Sequence, residues 1–359
     1  MRPNDRPSTH EPQPVRALIL SGGGARGAYE AGVAAALAER MHFDIVCGTS
    51  IGAVNGFAVA QGMAGQLEAI WREASDLNVA PYRPDVGALL QLWNEFHSVL
   101  QHGSVPAHLR DVVRLCQGLP GLRNLPRLEN LLGVLDNANM RQVVTAHARR
   151  AELQSALLLA ATNLTNACGT VFAFFPSDYA DTHGAADVMA RKNFEPITEE
   201  NYIDAICASA ALPGAFEPVT VLCEDGRRRT FVDGAFTNNM PLRPAIDAGA
   251  TEIIAISVDP LVSTDVENEV RHLRDVVTLA LEAATSQMLQ VDLELLQLRN
   301  DAMDKGEQPG KRHITLREVC PEAALPIDPL DFGEPGVIAE LVSQGRRDAE
   351  RTFDAVPTP

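Results

Sequence analysis

The 359-residue sequence is 46% hydrophobic and 21% charged, a balance that supplies a sizeable core and argues against a disordered or fibrous chain. A formal net charge of −17 argues against a general nucleic-acid binder, which needs clustered Lys and Arg to neutralise phosphates. It argues equally against broad electrostatic adsorption to anionic lipid, so any membrane contact rests on a local apolar or basic patch.

The start of the chain, residues 1–14, is rich in Pro and polar residues, has no apolar run, and reads as a disordered lead-in. Nowhere does an apolar stretch reach the roughly 18 residues of a membrane-spanning helix. Cysteines at 47, 116, 168, 207, 223 and 320 contain no CxxC pair and fall mostly in apolar segments, as expected of buried, reduced thiols rather than a disulfide or zinc framework. A cytoplasmic protein, at most peripheral to a membrane, is the expectation.

Val15 to Leu20 is a short apolar run that stops at Ser21-Gly22-Gly23-Gly24-Ala25-Arg26-Gly27 and passes into an Ala-rich helical stretch from Ala28 to Arg40. A second strand, Phe43 to Cys47, leads through Gly48-Thr49-Ser50-Ile51-Gly52 into a helix from Ala53 to Met63. Consecutive strand, loop and helix units predict a mainly parallel sheet covered by helices.

From Leu67 to about Gln154 the pattern changes to Leu-rich helical pieces broken by prolines, a helical insertion. It carries the stripe Leu89, Leu92, Trp93, Phe96, Val99 and Leu100, a core face or a lid, and Arg110, Arg114, Arg123 and Arg127, solvated helix residues or lipid head-group partners. Strands are predicted at Ala156 to Ala161, Thr170 to Phe175, Val219 to Cys223, Arg229 to Val232, Glu252 to Val258 and near His313 to Leu316. Long helices are predicted at Val270 to Arg299 and Pro335 to Phe353, within a C-terminal helical part of about 265–359. One domain spanning 15–359 accommodates all of this.

Three motifs carry chemistry. Gly48-x-Ser50-x-Gly52 is a G-x-S-x-G elbow: its serine sits in a strained strand-to-helix turn with small neighbours, at a helix N-terminus whose dipole favours developing negative charge. Gly22-x-Gly24-x-x-Gly27 also matches a dinucleotide fingerprint, but the second strand ends in Cys47 and Gly48 where that fold needs an acidic residue, and Asp44 lies at the strand's start. The amides of Gly22, Gly23, Gly24 and Ala25 instead suit an oxyanion hole, because adjacent strand-to-helix turns of a parallel sheet lie side by side. Arg26 braces that loop or meets a phosphate. Asp233, at a strand end before Gly234 and Ala235, is expected on the same rim as a base, with burial raising its pKa.

These three motifs in this order, with Ala208-Ser209-Ala210-Ala211-Leu212-Pro213 and Ala161-Thr162-Asn163-Leu164 between them, resemble the patatin-like phospholipases over roughly residues 15–258 outside the insertion. The resemblance implies a three-layer α/β/α fold with a mainly parallel central sheet. It also implies hydrolysis of a lipid carboxylic ester by a Ser50 and Asp233 dyad, through an acyl-serine intermediate and without metal or cofactor. Three alternatives stay open: a Ser–Asp–His triad using His272 or His313, a transacylase, and a non-catalytic lipid-binding protein.

Overall fold

A computed structural model describes residues 13–84, 86–87, 132–183, 185–260, 273–306 and 312–354. The leucine-rich stripe 89–100, the four arginines of the insertion, Cys116, His272 and residues 1–12 lie outside the described residues.

In chain order the elements are β1 (Arg16–Leu20), α1 (Gly27–Ala38), β2 (Ile45–Thr49), α2 (Ile51–Ala60), α3 (Leu67–Asp76), α4 (Ala138–His147), β3 (Ala156–Asn163), β4 (Cys168–Phe174), α5 (Ser177–His183), α6 (Ala185–Met189), β5 (Phe194–Pro196), α7 (Tyr202–Ser209), β6 (Val219–Leu222), β7 (Arg228–Asp233), α8 (Ala235–Asn238), α9 (Leu242–Asp247), β8 (Glu252–Ile256), α10 (Leu273–Asp304), β9 (Thr315–Val319) and α11 (Pro335–Asp354). β5 had no counterpart among the expected strands, because three residues are too few to show a period.

The main path of the sheet runs β5-β4-β3-β2-β1-β8-β9, with β7 pairing β3 and β6. The pairs β1/β2, β1/β8, β2/β3 and β8/β9 are parallel, as strands joined by crossover helices must be, whereas β4 and β7 run antiparallel to β3. Strand residues alternate between two cores. Leu18, Val46, Leu157 and Ile254 face a core shared with α1, α2, α3, α7 and α11, while Ile19, Ile45, Leu158 and Ile253 face α9 and α10. Both faces are covered, so the central strands are nearly continuous apolar runs, giving the three-layer α/β/α arrangement.

α1 is buried along almost its whole length, which its run of Ala and Gly permits: only small side chains allow α2 and α11 to approach from two sides. Of the described cysteines, Cys47, Cys207 and Cys223 are buried thiols, whereas Cys168 is exposed at the start of β4, an exception to the expected burial. No described helix is long and apolar enough to cross a membrane.

Candidate active site

Two strands meet head-on along one edge of β3. Parallel β2 reaches only as far as Thr49, opposite Ala160; β3 continues, and antiparallel β7 occupies the vacated edge, ending with Asp233 opposite Ala161. Ser50 and Asp233 are thus the first residues on either side of the junction. Ser50 Oγ donates to Asp233 Oδ2 at 2.6 Å. Asp233 was expected at the rim where parallel strands end. It reaches that rim because its strand runs the opposite way and stops against β2.

Ser50 has φ 57° and ψ −128°, a left-handed conformation that a serine adopts only when its surroundings impose it. The constraint is visible in its neighbours. Its N–H donates to Ser209 Oγ at 3.1 Å, and that hydroxyl donates to Ala160 O at 2.6 Å. Thr49 Oγ1 donates to Asn238 O at 2.8 Å. Gly52 lies so close to β1 that a Cβ there would come within 2.5 Å of both the Leu20 and Ser21 carbonyl oxygens, which accounts for the second glycine of the elbow.

The same bracket holds the carboxylate. Asp233 N–H donates to Ala211 O at 2.9 Å and Gly234 N–H to Ser209 O at 3.3 Å, so the turn after α7 grips both Ser50 and Asp233. Asp233 is 1% exposed, and its Oδ1 accepts from Ala235 N–H at 2.8 Å. Burial pushes its carboxyl up to about 7, even though the hydrogen bonds from Ser50 and Ala235 favour the charged form. Ser209 carried no signal of its own in the sequence; its position depends on α7 packing against β3.

The glycine loop lies against the same cleft, but its four amides are not equivalent. Gly22 N–H donates to Asn239 Oδ1 at 3.0 Å and Ala25 N–H to Pro329 O at 2.7 Å. Both are committed to holding the loop in place. The N–H groups of Gly23 and Gly24 have no hydrogen-bond partner among the described residues. Gly24 has φ +57°, and a side chain there would overlap the Pro329 carbonyl. Arg26 pairs with Asp259, a bracing role, and Gly27 opens α1.

Gly22, Gly23, Gly24, Ser50 and Asp233 line one cleft of about 130 Å³, together with apolar Ile51, Met140, Leu212, Phe216 and Phe332. No histidine lines it among the described residues. His313 is exposed, two residues before β9, at the opposite edge of the sheet from the Ser50 elbow. Asp44 also sits at that far edge, accepting from Arg16 N–H at 2.7 Å, away from the glycine loop. No group of three His, Cys, Asp or Glu is arranged to hold a metal among the described residues.

A parallel α/β sheet with a strained serine elbow, a glycine turn beside it and a buried aspartate against the serine places the chain in a defined structural class. The family model described as patatin-like phospholipase matches residues 18–246, and the chain belongs to that family. Over 73 residues it is 44% identical to lysophospholipase NTE1 of Mycosarcoma maydis, a match covering 17% of this chain and 4% of that protein. It is 42% identical over 73 residues to lysophospholipase nte1 of Aspergillus terreus, covering 17% and 5% respectively. The chain therefore matches only a small fraction of the length of these relatives. Among solved structures, VipD from Legionella pneumophila is 17% identical with a TM-score of 0.39, covering 96% of this chain and 67% of that one. Human GIVD cytosolic phospholipase A2 is 12% identical with a TM-score of 0.38, covering 96% and 63%.

Proposed function

We propose that this chain is a serine acyl hydrolase of lipid esters, with Ser50 as nucleophile and Asp233 as its base. The observation that carries this reading is the 2.6 Å hydrogen bond from Ser50 Oγ to a carboxylate that is 1% exposed. A carboxyl near 7 is matched to proton transfer at neutral pH, where an ordinary aspartate is too weak a base to deprotonate a hydroxyl in the transition state.

In the first half-reaction Ser50 Oγ bonds to the ester carbonyl carbon while its proton passes to Asp233 Oδ2. The carbonyl oxygen becomes an oxyanion, which the N–H groups of Gly23 and Gly24 are free to receive; loss of one such donor typically costs about 3 kcal/mol of barrier. Collapse breaks the bond to the alcohol, which leaves with the proton from Asp233. Water then attacks the acyl-serine, giving its proton to the same carboxylate, and the fatty acid departs as Ser50 regains its hydrogen. Phe236, 43% exposed and lining the cleft, supports approach of the substrate from a lipid surface.

Fatty acid release from phospholipid vesicles, and hydrolysis of a soluble short-chain ester, test the reading. Ser50→Ala and Asp233→Asn are expected to lose both activities by at least about a thousandfold, while His313→Ala retains them. Loss of activity in His313→Ala would point to a triad instead. Retention in Asp233→Asn would remove Asp233 from the chemistry.

A further inference from the structure

The long helix α10 carries two apolar faces, and the fold uses one of them. Leu289, Leu293 and Leu296 turn inward to the core beneath the sheet, where Leu296 is buried. Asn300 fastens the same face: its Nδ2 donates to Ile314 O at 2.9 Å, and its Oδ1 accepts from Ile314 N–H at 3.1 Å. Nearly opposite, at about 100° per residue, lie Ala284, Met288, Val291, Leu295, Leu298 and Ala302. Val291, Leu295 and Leu298 are 45%, 58% and 63% exposed, so three large aliphatic side chains on one stripe meet solvent.

The spacing of this outer stripe differs from that of a core-facing helix. Its six residues are separated by four, three, four, three and four positions, a strict seven-residue repeat. A stripe facing a globular core is wider and follows 3.6 residues per turn, whereas a repeat of 3.5 is the seam that fits a second helix with the same repeat. Its flanks select the cover. Asp292, Glu294 and Asp301 border the stripe, and Arg299 is the one basic residue between Ala284 and Asp304, a balance opposed to an anionic lipid surface. Arg299 Nε and Nη1 are buried without an acceptor among the described residues, and Glu294 is exposed with no partner there. A buried donor left unmet costs about 1–3 kcal/mol, which favours a cover that brings a carboxylate.

We propose that α10 is a dimerisation helix, through which two copies of this chain join as a parallel pair with reciprocal Glu294–Arg299 ion pairs. In a parallel pair the residue before one seam position faces the residue five places later on the other helix, so Glu294 meets Arg299 of the second copy, twice by symmetry. An antiparallel pair that matches Val291 with Leu295 sets Glu294 against Glu294 of the second copy. From Ala284 to Ala302 the seam is ~27 Å long at 1.5 Å per residue and buries on the order of 1,000 Å² in all, the low end of specific interfaces. A dimer dissociating in the micromolar range follows. Thr285, at the start of the seam, lines the Ser50 cleft, so parallel pairing sets both clefts at one end of the dimer. The inference stands independently of the hydrolase reading.

Sedimentation velocity of the full chain, from about 0.5 to 100 μM, tests it: the mass is expected to rise from 38.7 kDa toward twice that value. Leu295→Glu is expected to weaken association by about a hundredfold or more, with the thermal midpoint of the dilute monomer unchanged within about 3 °C because the side chain is exposed. Glu294→Arg and Arg299→Glu should each weaken the dimer by about tenfold, and the double variant should restore it. A wild type that stays monomeric, or a dimer that Leu295→Glu leaves intact, would overturn the proposal. A monomeric wild type that Leu295→Glu destabilises would assign the seam's cover to residues 88–131 of the same chain, and one that loses vesicle binding would assign it to lipid. A dimer that the double charge exchange does not restore would overturn the parallel arrangement.

Discussion

Asp233 holds two opposing influences in balance. Burial pushes its carboxyl up to about 7, and the donors from Ser50 and Ala235 restrain that rise. The acid limb of kcat/KM for a soluble ester is accordingly expected to have its midpoint near 7, with a plateau above it, in a pH–rate profile. The same shift sets a stability trend. The folded carboxyl titrates above its ordinary value of 3.8, so its contribution is most favourable below that pH and is lost as pH rises through about 7. Asp233→Asn removes the buried charge. Urea unfolding should find this variant more stable than wild type at pH 8, by at most ~4 kcal/mol, with the difference shrinking to below about 2 kcal/mol at pH 5 and vanishing only below about pH 4. Greater stability in an inactive variant would identify strain kept for function; lower stability at pH 8 would contradict the assigned shift. Ser209 gives a second prediction at this scale. Ser209→Ala leaves Ser50 N–H and Ala160 O without their partner, and is expected to lower stability by about 1–3 kcal/mol and kcat by about tenfold, with KM nearly unchanged. That Ser50 and Asp233 lie on one rim was legible in the sequence because each sits at a strand end beside glycine. Ser209 was not, because a serine among alanines acquires its role only from what packs against it.

Among the elements, local pattern revealed the strand, turn and helix units at both ends of the site, since a change of hydrophobic period and a glycine break are local signals. The direction of β7 was not legible. It follows from β3 outrunning β2 by three residues, Ala161 to Asn163, a relation between segments about a hundred positions apart. A comparable long-range relation ties the helices beneath the elbow. Glu30 of α1, Asn55 of α2 and Trp71 of α3 form one buried chain of hydrogen bonds, and Glu30 is 0% exposed. Burial raises the Glu30 carboxyl well above the usual carboxylate range, because the Asn55 contact offsets only part of the desolvation. Its folded value lies above the unfolded one, so stability is greatest in acid and falls as pH rises through the folded value. Glu30→Gln, which is neutral and of the same shape, is expected to remove that alkaline slope while leaving activity within about threefold. Glu30→Ala leaves Asn55 underpartnered beside a cavity, and should lower stability by about 2–4 kcal/mol in urea unfolding at pH 7. Equal behaviour of the two variants would mean that the network contributes nothing to α1 and α2.

For the whole molecule, the family match ends at residue 246, yet the fold does not. β8 pairs with β1 along its full length, and β9 extends the sheet beyond it. The segment before α11 reaches the site itself, through Pro329 O on Ala25 N–H and Phe332 in the cleft wall. α11 lies on α1, where Tyr29 Oη donates to Asp348 Oδ2 at 3.1 Å and a side chain at Gly345 would overlap the Tyr29 carbonyl. Its Ile338, Leu341 and Val342 are 3%, 1% and 5% exposed, and burying a large aliphatic side chain is worth about 1.5–3 kcal/mol. Three such residues together approach the entire stability of a typical domain, about 5–15 kcal/mol. Magnitude therefore separates two changes to the same helix. Leu341→Ala, at about 2–5 kcal/mol, should lower the midpoint of thermal unfolding but leave one cooperative transition and measurable ester hydrolysis. Ending the chain at Glu334 removes all three residues and uncovers α1, the helix that follows the glycine loop. That protein is expected to show no cooperative transition by circular dichroism and no activity. A sharp transition with retained hydrolysis would mean that the matched family region folds without α11.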